Sequence, residues 1–162
     1  MPNLPVPNHD TLRSWLEQSQ IEYFLCGSCE GLHLPQLQEI NGIYDAKIEI
    51  EGEFVYLSAS IEIRPTGLMT AFAKMSELNS QYPTLKIFVE MVDDTLPRIL
   101  LCHNLALTPG ISPDQFHFFV SDCIEQMSQA AKEIEALNVV FYGEEEEPEQ
   151  PSPPVQSAVI MH

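Results

Sequence analysis

Between residues 43 and 107, polar and apolar side chains alternate in four runs grouped as two pairs. In the first run Tyr44, Ala46, Ile48 and Ile50 alternate with Asp45, Lys47, Glu49 and Glu51, and Gly52 marks the turn. On the return, Val55, Leu57, Ala59, Ile61 and Ile63 share one face, while Tyr56, Ser58, Ser60, Glu62 and Arg64 take the other. Successive side chains of a strand point to opposite sides of its sheet. A period of two over this length therefore predicts an antiparallel hairpin with one buried face. The second pair repeats the pattern. Leu85, Ile87, Val89 and Met91 lie on one face, with Lys86 and Glu90 on the other. Asp93, Asp94 and Thr95 form the turn, and Ile99, Leu101, His103, Leu105 and Leu107 share a face on the way back.

Helical spacing appears in three other stretches. Asp10 is placed to cap a first helix whose stripe is Leu12, Trp15 and Leu16. Leu68, Phe72, Met75 and Leu78 predict a second, ended by Pro83. The third has the strongest start: Ser112 as N-cap, Pro113 at the first helical position and Gln115 where a capping box needs Glu or Gln. Its stripe of Phe116, Phe119, Val120, Cys123, Met127, Ile134 and Leu137 predicts a helix running to about Asn138. Short strands are expected at residues 23–26 and 32–34, the latter halted by Pro35. The result is an α+β domain over residues 1–142. Its antiparallel sheet has two long hairpins and a short N-terminal strand, packed with three helices in the order α-β-ββ-α-ββ-α. Residues 143–162 form an acidic, Pro-rich tail expected to be disordered or extended. Its apolar end (Val159, Ile160, Met161) suits a linear motif that reaches a groove.

Charge narrows the choice of partner. The 162 residues carry a formal net charge of −17, with seven Lys and Arg against 24 Asp and Glu. Five of the acids follow Gly143 and no basic residue follows Lys132, so the body keeps about −12. Nucleic acids and anionic membranes both need clustered Lys and Arg, so neither is an expected partner. A charge-steered partner should be basic. Residues 1–9 lack the basic and apolar regions of a signal peptide, and no stretch approaches the ~18 apolar residues of a membrane span. Four cysteines in such a chain predict free thiols and a cytoplasmic location.

Cys26-x-x-Cys29 is the sharpest candidate for chemistry, because a thiol pair at this spacing can ligate zinc or form a redox disulfide. His33 is a third potential ligand, and Cys102 or His103 can complete a tetrahedral set if the fold brings that strand near. The plainer reading is a turn holding two small, half-buried residues around Gly27. His103 and Cys123 read as packing residues, and Asp93 with Asp94 as turn residues at a hairpin tip. No nucleotide-binding or hydrolase fingerprint is present, so no catalytic residue is assigned. On the outward sheet face, Phe54, Tyr56, Phe88, Leu100 and Cys102 interrupt an otherwise polar pattern. Either they bind a partner or the first and last helices cover both faces of the sheet.

Several short motifs resemble the YbjN family of bacterial proteins. They are Leu12-Arg13-x-Trp15-Leu16, Cys26-x-x-Cys29-x-x-Leu32-His33-Leu34-Pro35, Asp45-Ala46-Lys47-Ile48, Arg64-Pro65, Asp93-Asp94-x-Leu96-Pro97, and Gly110 with Gln115-Phe116. They span residues 6–138. The resemblance implies a fold like that of type III secretion chaperones, a homodimer and a peptide-binding surface. It also implies a regulator of sensory transduction or stress response without enzymatic activity. On this reading the chain is a non-enzymatic protein-interaction module that needs no cofactor. Its candidate binding residues are Phe54, Tyr56, Phe88 and Leu100. The alternative is a thiol- or zinc-based sensor using Cys26, Cys29 and His33.

Overall fold

The computed structural model describes residues 3–143. The expected acidic tail lies outside the described residues. Helix α1 (His9–Gln18) is followed by strand β1 (Leu32–His33), the one-turn helix α2 (Pro35–Gln38), and strands β2 (Asp45–Glu51) and β3 (Phe54–Glu62). A 3₁₀ turn (Pro65–Gly67) leads into α3 (Leu68–Gln81), then β4 (Lys86–Glu90), β5 (Arg98–Ala106) and α4 (Pro113–Ala136). The class is α+β with a five-stranded antiparallel sheet in the order β1-β2-β3-β5-β4.

Both hairpins form as the alternation predicts. Gly52, at φ +59°, opens the tight turn between β2 and β3, a conformation glycine adopts without a Cβ penalty. The inner face of Ala46, Ile48, Val55, Leu57, Ala59, Ile61, Ile87, Ile99 and Leu101 is fully buried. It packs against Phe116, Phe119, Val120, Cys123, Met127 and Ile134 of α4 and the stripe of α1. The capping box of α4 is complete: the Gln115 N–H donates to Ser112 Oγ at 3.1 Å, and the Ser112 N–H donates to Gln115 Oε1 at 2.8 Å.

Some expectations change. Among the described residues there are four α-helices rather than three, because Pro35 both stops β1 and occupies the first position of α2. The N-cap of α1 is Asn8 and not Asp10, since the helix begins one residue before Asp10. The strand expected at residues 23–26 shrinks to one bridge between Phe24 and His33. Tyr44, expected on the buried face, is 62% exposed because the pleat starts at Asp45 and Ile43 takes the buried seat. Met91 is exposed for the same reason: β4 ends at Glu90. In α3, Phe72 faces out and Ala71 is buried, so the inner stripe is Leu68, Ala71, Met75 and Leu78.

Of the two alternatives for the outward sheet face, the structure removes one. The helices do not cover both faces. None of the outward residues of β2, β3, β4 and β5 is buried, so among the described residues that side of the sheet is bare. The remaining edge problem is β4. There the Ile87 N–H donates to Asn79 Oδ1 at 3.0 Å, and Asn79 Nδ2 donates to the Ile87 carbonyl at 2.8 Å. A side-chain amide from α3 thus stands where a neighbouring strand would pair.

Candidate functional site: a cysteine–histidine cluster beside a bare sheet face

The loop after α1 is closed by a reciprocal pair of backbone bonds. The Phe24 N–H donates to the His33 carbonyl at 3.0 Å, and the His33 N–H donates to the Phe24 carbonyl at 2.9 Å. This pinches residues 25–32 into a knuckle that carries Cys26 and Cys29 back over His33. Gly27, at φ +79°, supplies the left-handed turn between the two cysteines. His33 is only 6% exposed, and its imidazole stacks on Phe24 with ring centroids 5.1 Å apart. Pairing of β1 with β2 sets His33 beside Lys47 and brings Asp45, the first residue of β2, within reach.

The contacts run in a line. Asp45 Oδ1 lies 2.8 Å from His33 Nδ1. A carboxylate only accepts, so the Nδ1 proton sits in this bond and Nε2 faces the cysteines. His33 Nε2 is 3.3 Å from Cys29 Sγ, which is 3.3 Å from Cys26 Sγ. Behind Asp45, the Gln38 amide of α2 donates to the same carboxylate oxygen at 2.9 Å. Among the described residues, these two thiols and this imidazole are the one group of His, Cys, Asp and Glu donors close enough to share an ion.

The two thiols differ. The Ser28 hydroxyl, 3.1 Å away, and then the Ser28 N–H hold Cys26 down to about 6, with the Cys29 thiol and N–H helping. Cys29 is raised, first because its proton is donated to Cys26; the Gly31 N–H and the charge of Lys47 oppose that shift. The pair thus favours a thiolate at exposed Cys26 with Cys29 as its donor. Asp45, His33 and Cys29 do stand in the order of a nucleophile relay. The raised Cys29 runs against that role, because an activated nucleophile needs a lowered pKa. Cys102 and His103 do not complete the set. Cys102 is three interstrand steps from His33, about 14 Å. His103 lies on the inner face against the Phe119 ring, with centroids 5.1 Å apart.

The four aromatic and aliphatic candidates do share the bare face. Phe88 pairs directly with Leu100 across β4 and β5, and the Phe54 and Tyr56 rings are 6.3 Å apart. Tyr56, Phe88, Lys86, Cys102 and Asn104 help line a depression of about 370 Å³. Sequence periodicity left out three features. Asp45 reads as an ordinary outward strand residue, and only strand pairing reveals it as the partner of His33. Phe24 gave no signal beyond its place in an apolar run. Phe118, 71% exposed, falls just off the α4 stripe and lines an apolar groove of about 420 Å³ with His103, Leu105 and Phe119.

A two-layer α+β domain with a Cys-x-x-Cys…His cluster at one sheet edge and a bare opposite face defines the class. Residues 8–136 match the family model YbjN, described as "Putative bacterial sensory transduction regulator", and the chain belongs to that family. It is 36% identical over 146 residues to "Uncharacterized protein YbjN" of Escherichia coli K12, covering 90% of this chain and 92% of that protein. The relative from Shigella flexneri matches with the same identity and coverage. The crystal structure of YbjN from E. coli, described as "a putative transcription regulator", superposes with a TM-score of 0.82 at 36% identity. That match covers 85% of this chain and 98% of the solved one. The family is therefore the one the motifs implied, and the α+β class is the one the alternation predicted. Among the described residues, no helix is long and apolar enough to cross a membrane.

Proposed function

We propose that the chain is a non-enzymatic regulator that acts by binding a protein or peptide on the bare face of its sheet. The observation that carries this reading is the apolar set Phe54, Tyr56, Phe88 and Leu100 on a face that no helix covers among the described residues. Exposed apolar clusters rimmed by polar side chains mark interaction surfaces. The excess of acidic residues favours a basic partner and disfavours nucleic acid. A chain of this kind would influence transcription or signalling through another protein. A second copy of the chain is the competing occupant of the face. The test is co-purification from the native host with mass measurement of the complex, comparing the natural chain with a Phe88→Glu, Leu100→Glu double variant. Loss of a partner or of the dimer by at least about 30-fold is expected, the size of a central hot spot. Unchanged binding by a folded double variant removes this face from the function.

The second reading, a thiol- or zinc-based sensor, is favoured by the 3.3 Å separation of Cys26 and Cys29 sulfurs. Hydrogen peroxide is expected to oxidise the two thiols to one disulfide, releasing two protons and two electrons that reduce the peroxide to water. Dithiothreitol should reverse the change. Peptide mass mapping that finds no Cys26–Cys29 linkage under these conditions sinks the thiol form of this reading.

A further inference from the structure

Cys26 is exposed and lies outside the hydrophobic core, yet its sulfur is held 3.1 Å from the Ser28 hydroxyl and 3.3 Å from the Cys29 sulfur. Cys26 Sγ, Cys29 Sγ and His33 Nε2 all lie within 4.8 Å of one another. Ligands of a tetrahedral zinc, at about 2.3 Å for sulfur and about 2.0 Å for nitrogen, stand roughly 3.5–3.7 Å apart. Two of the three donor pairs, at 3.3 Å, need only a few tenths of an ångström of opening, and the third, Cys26 to His33, lies within 4.8 Å and needs to close by at most about 1 Å. His33 meets Asp45 through its other nitrogen at 2.8 Å, and Gln38 fixes that carboxylate in turn. This is the outer-shell arrangement that orients a ligating imidazole and raises its basicity. A Cβ at Gly31 would stand 3.1 Å from the Lys47 side chain and 3.4 Å from Cys29 Sγ, so the loop is closed tightly at this point.

We propose that Cys26 Sγ, Cys29 Sγ and His33 Nε2 hold one zinc ion, with Asp45 positioning His33 and solvent in the fourth place. Thiolate and imidazole donors select zinc over the oxygen-seeking magnesium and calcium. The fourth place falls to solvent because, among the described residues, no further His, Cys, Asp or Glu joins the three. A bound ion ties the knuckle to β1 and β2, so zinc occupancy and the order of residues 25–32 are linked. The inference deepens the sensor reading and rests on the same cluster, but it commits to the metal.

The experiment uses the full-length chain, reduced, stripped with a chelator and titrated with zinc alone against a chromophoric chelator. One zinc per chain is expected. Asp45→Asn should weaken binding by about 10- to 100-fold while circular dichroism stays unchanged, and Cys26→Ser should weaken it further. Cobalt(II) in place of zinc should show a thiolate charge-transfer band that Cys26→Ser diminishes. Serine at exposed Cys26 and asparagine at Asp45 preserve size, so loss of fold does not confuse the result. Substoichiometric zinc, or zinc whose affinity Cys26→Ser leaves unmoved, is adventitious and overturns the proposal. A chain that forms the reversible disulfide but takes no zinc overturns it too, leaving the thiol form of the sensor intact. Stoichiometric, variant-sensitive zinc without a disulfide supports it and removes the thiol form.

Discussion

Asn79→Ala is expected to destabilise the domain by about 2–4 kcal/mol and to open the β4 edge. The wild-type amide satisfies both backbone groups of Ile87, and its Nδ2 also donates to the Met75 carbonyl at 2.8 Å. Ile87 is 3% exposed, so water has little access to replace these bonds. Each buried polar group left without a partner costs about 1–3 kcal/mol. Alanine strands two of them at once, on a strand that is already at the sheet edge. Two measurements check this. Urea unfolding should show the loss of stability, and light scattering against concentration should show new association, because an edge with free N–H and C=O groups is a template for another chain. Asn79→Asp keeps the acceptor for the Ile87 N–H and loses the donor, so it should fall between alanine and wild type. An alanine variant with wild-type stability would mean that the edge is satisfied in another way.

Phe116→Ala should cost about 3–5 kcal/mol, the range for deleting a buried aromatic ring. Phe116 is 1% exposed and tilts against Trp15, with ring centroids 5.8 Å apart at 49°. Their contact joins α4 to α1. The loss is a large share of the roughly 5–15 kcal/mol that holds a domain folded. The readout is direct because the chain contains one tryptophan. Removing the ring leaves a cavity beside the indole, so Trp15 emission should shift to the red and the denaturant midpoint should fall. Unchanged emission would place the link between α1 and α4 elsewhere.

The candidate site was only partly legible. Cys26, Cys29 and His33 stand out by residue type and spacing, and the structure does bring them together. The spacing was silent on the line behind them. Asp45 follows His33 by twelve residues and reaches it because β1 pairs with β2, while Gln38 arrives from a one-turn helix that begins at the proline expected to end a strand. Cys102 was a ligand only on condition that the fold brought its strand near, and it is carried three strands away.

From the sequence alone came the elements whose cause is local. Alternation in residues 43–107 encodes two hairpins because strand geometry repeats every two residues. Ser112, Pro113 and Gln115 encode the start of α4 because its cap is made within one turn. The order of strands, the bare outer face, the closure of the β4 edge by Asn79 and the Asp45–His33 contact belong to tertiary structure. Each joins residues through space, and side-chain periodicity reports which face a residue occupies, not what lies across from that face.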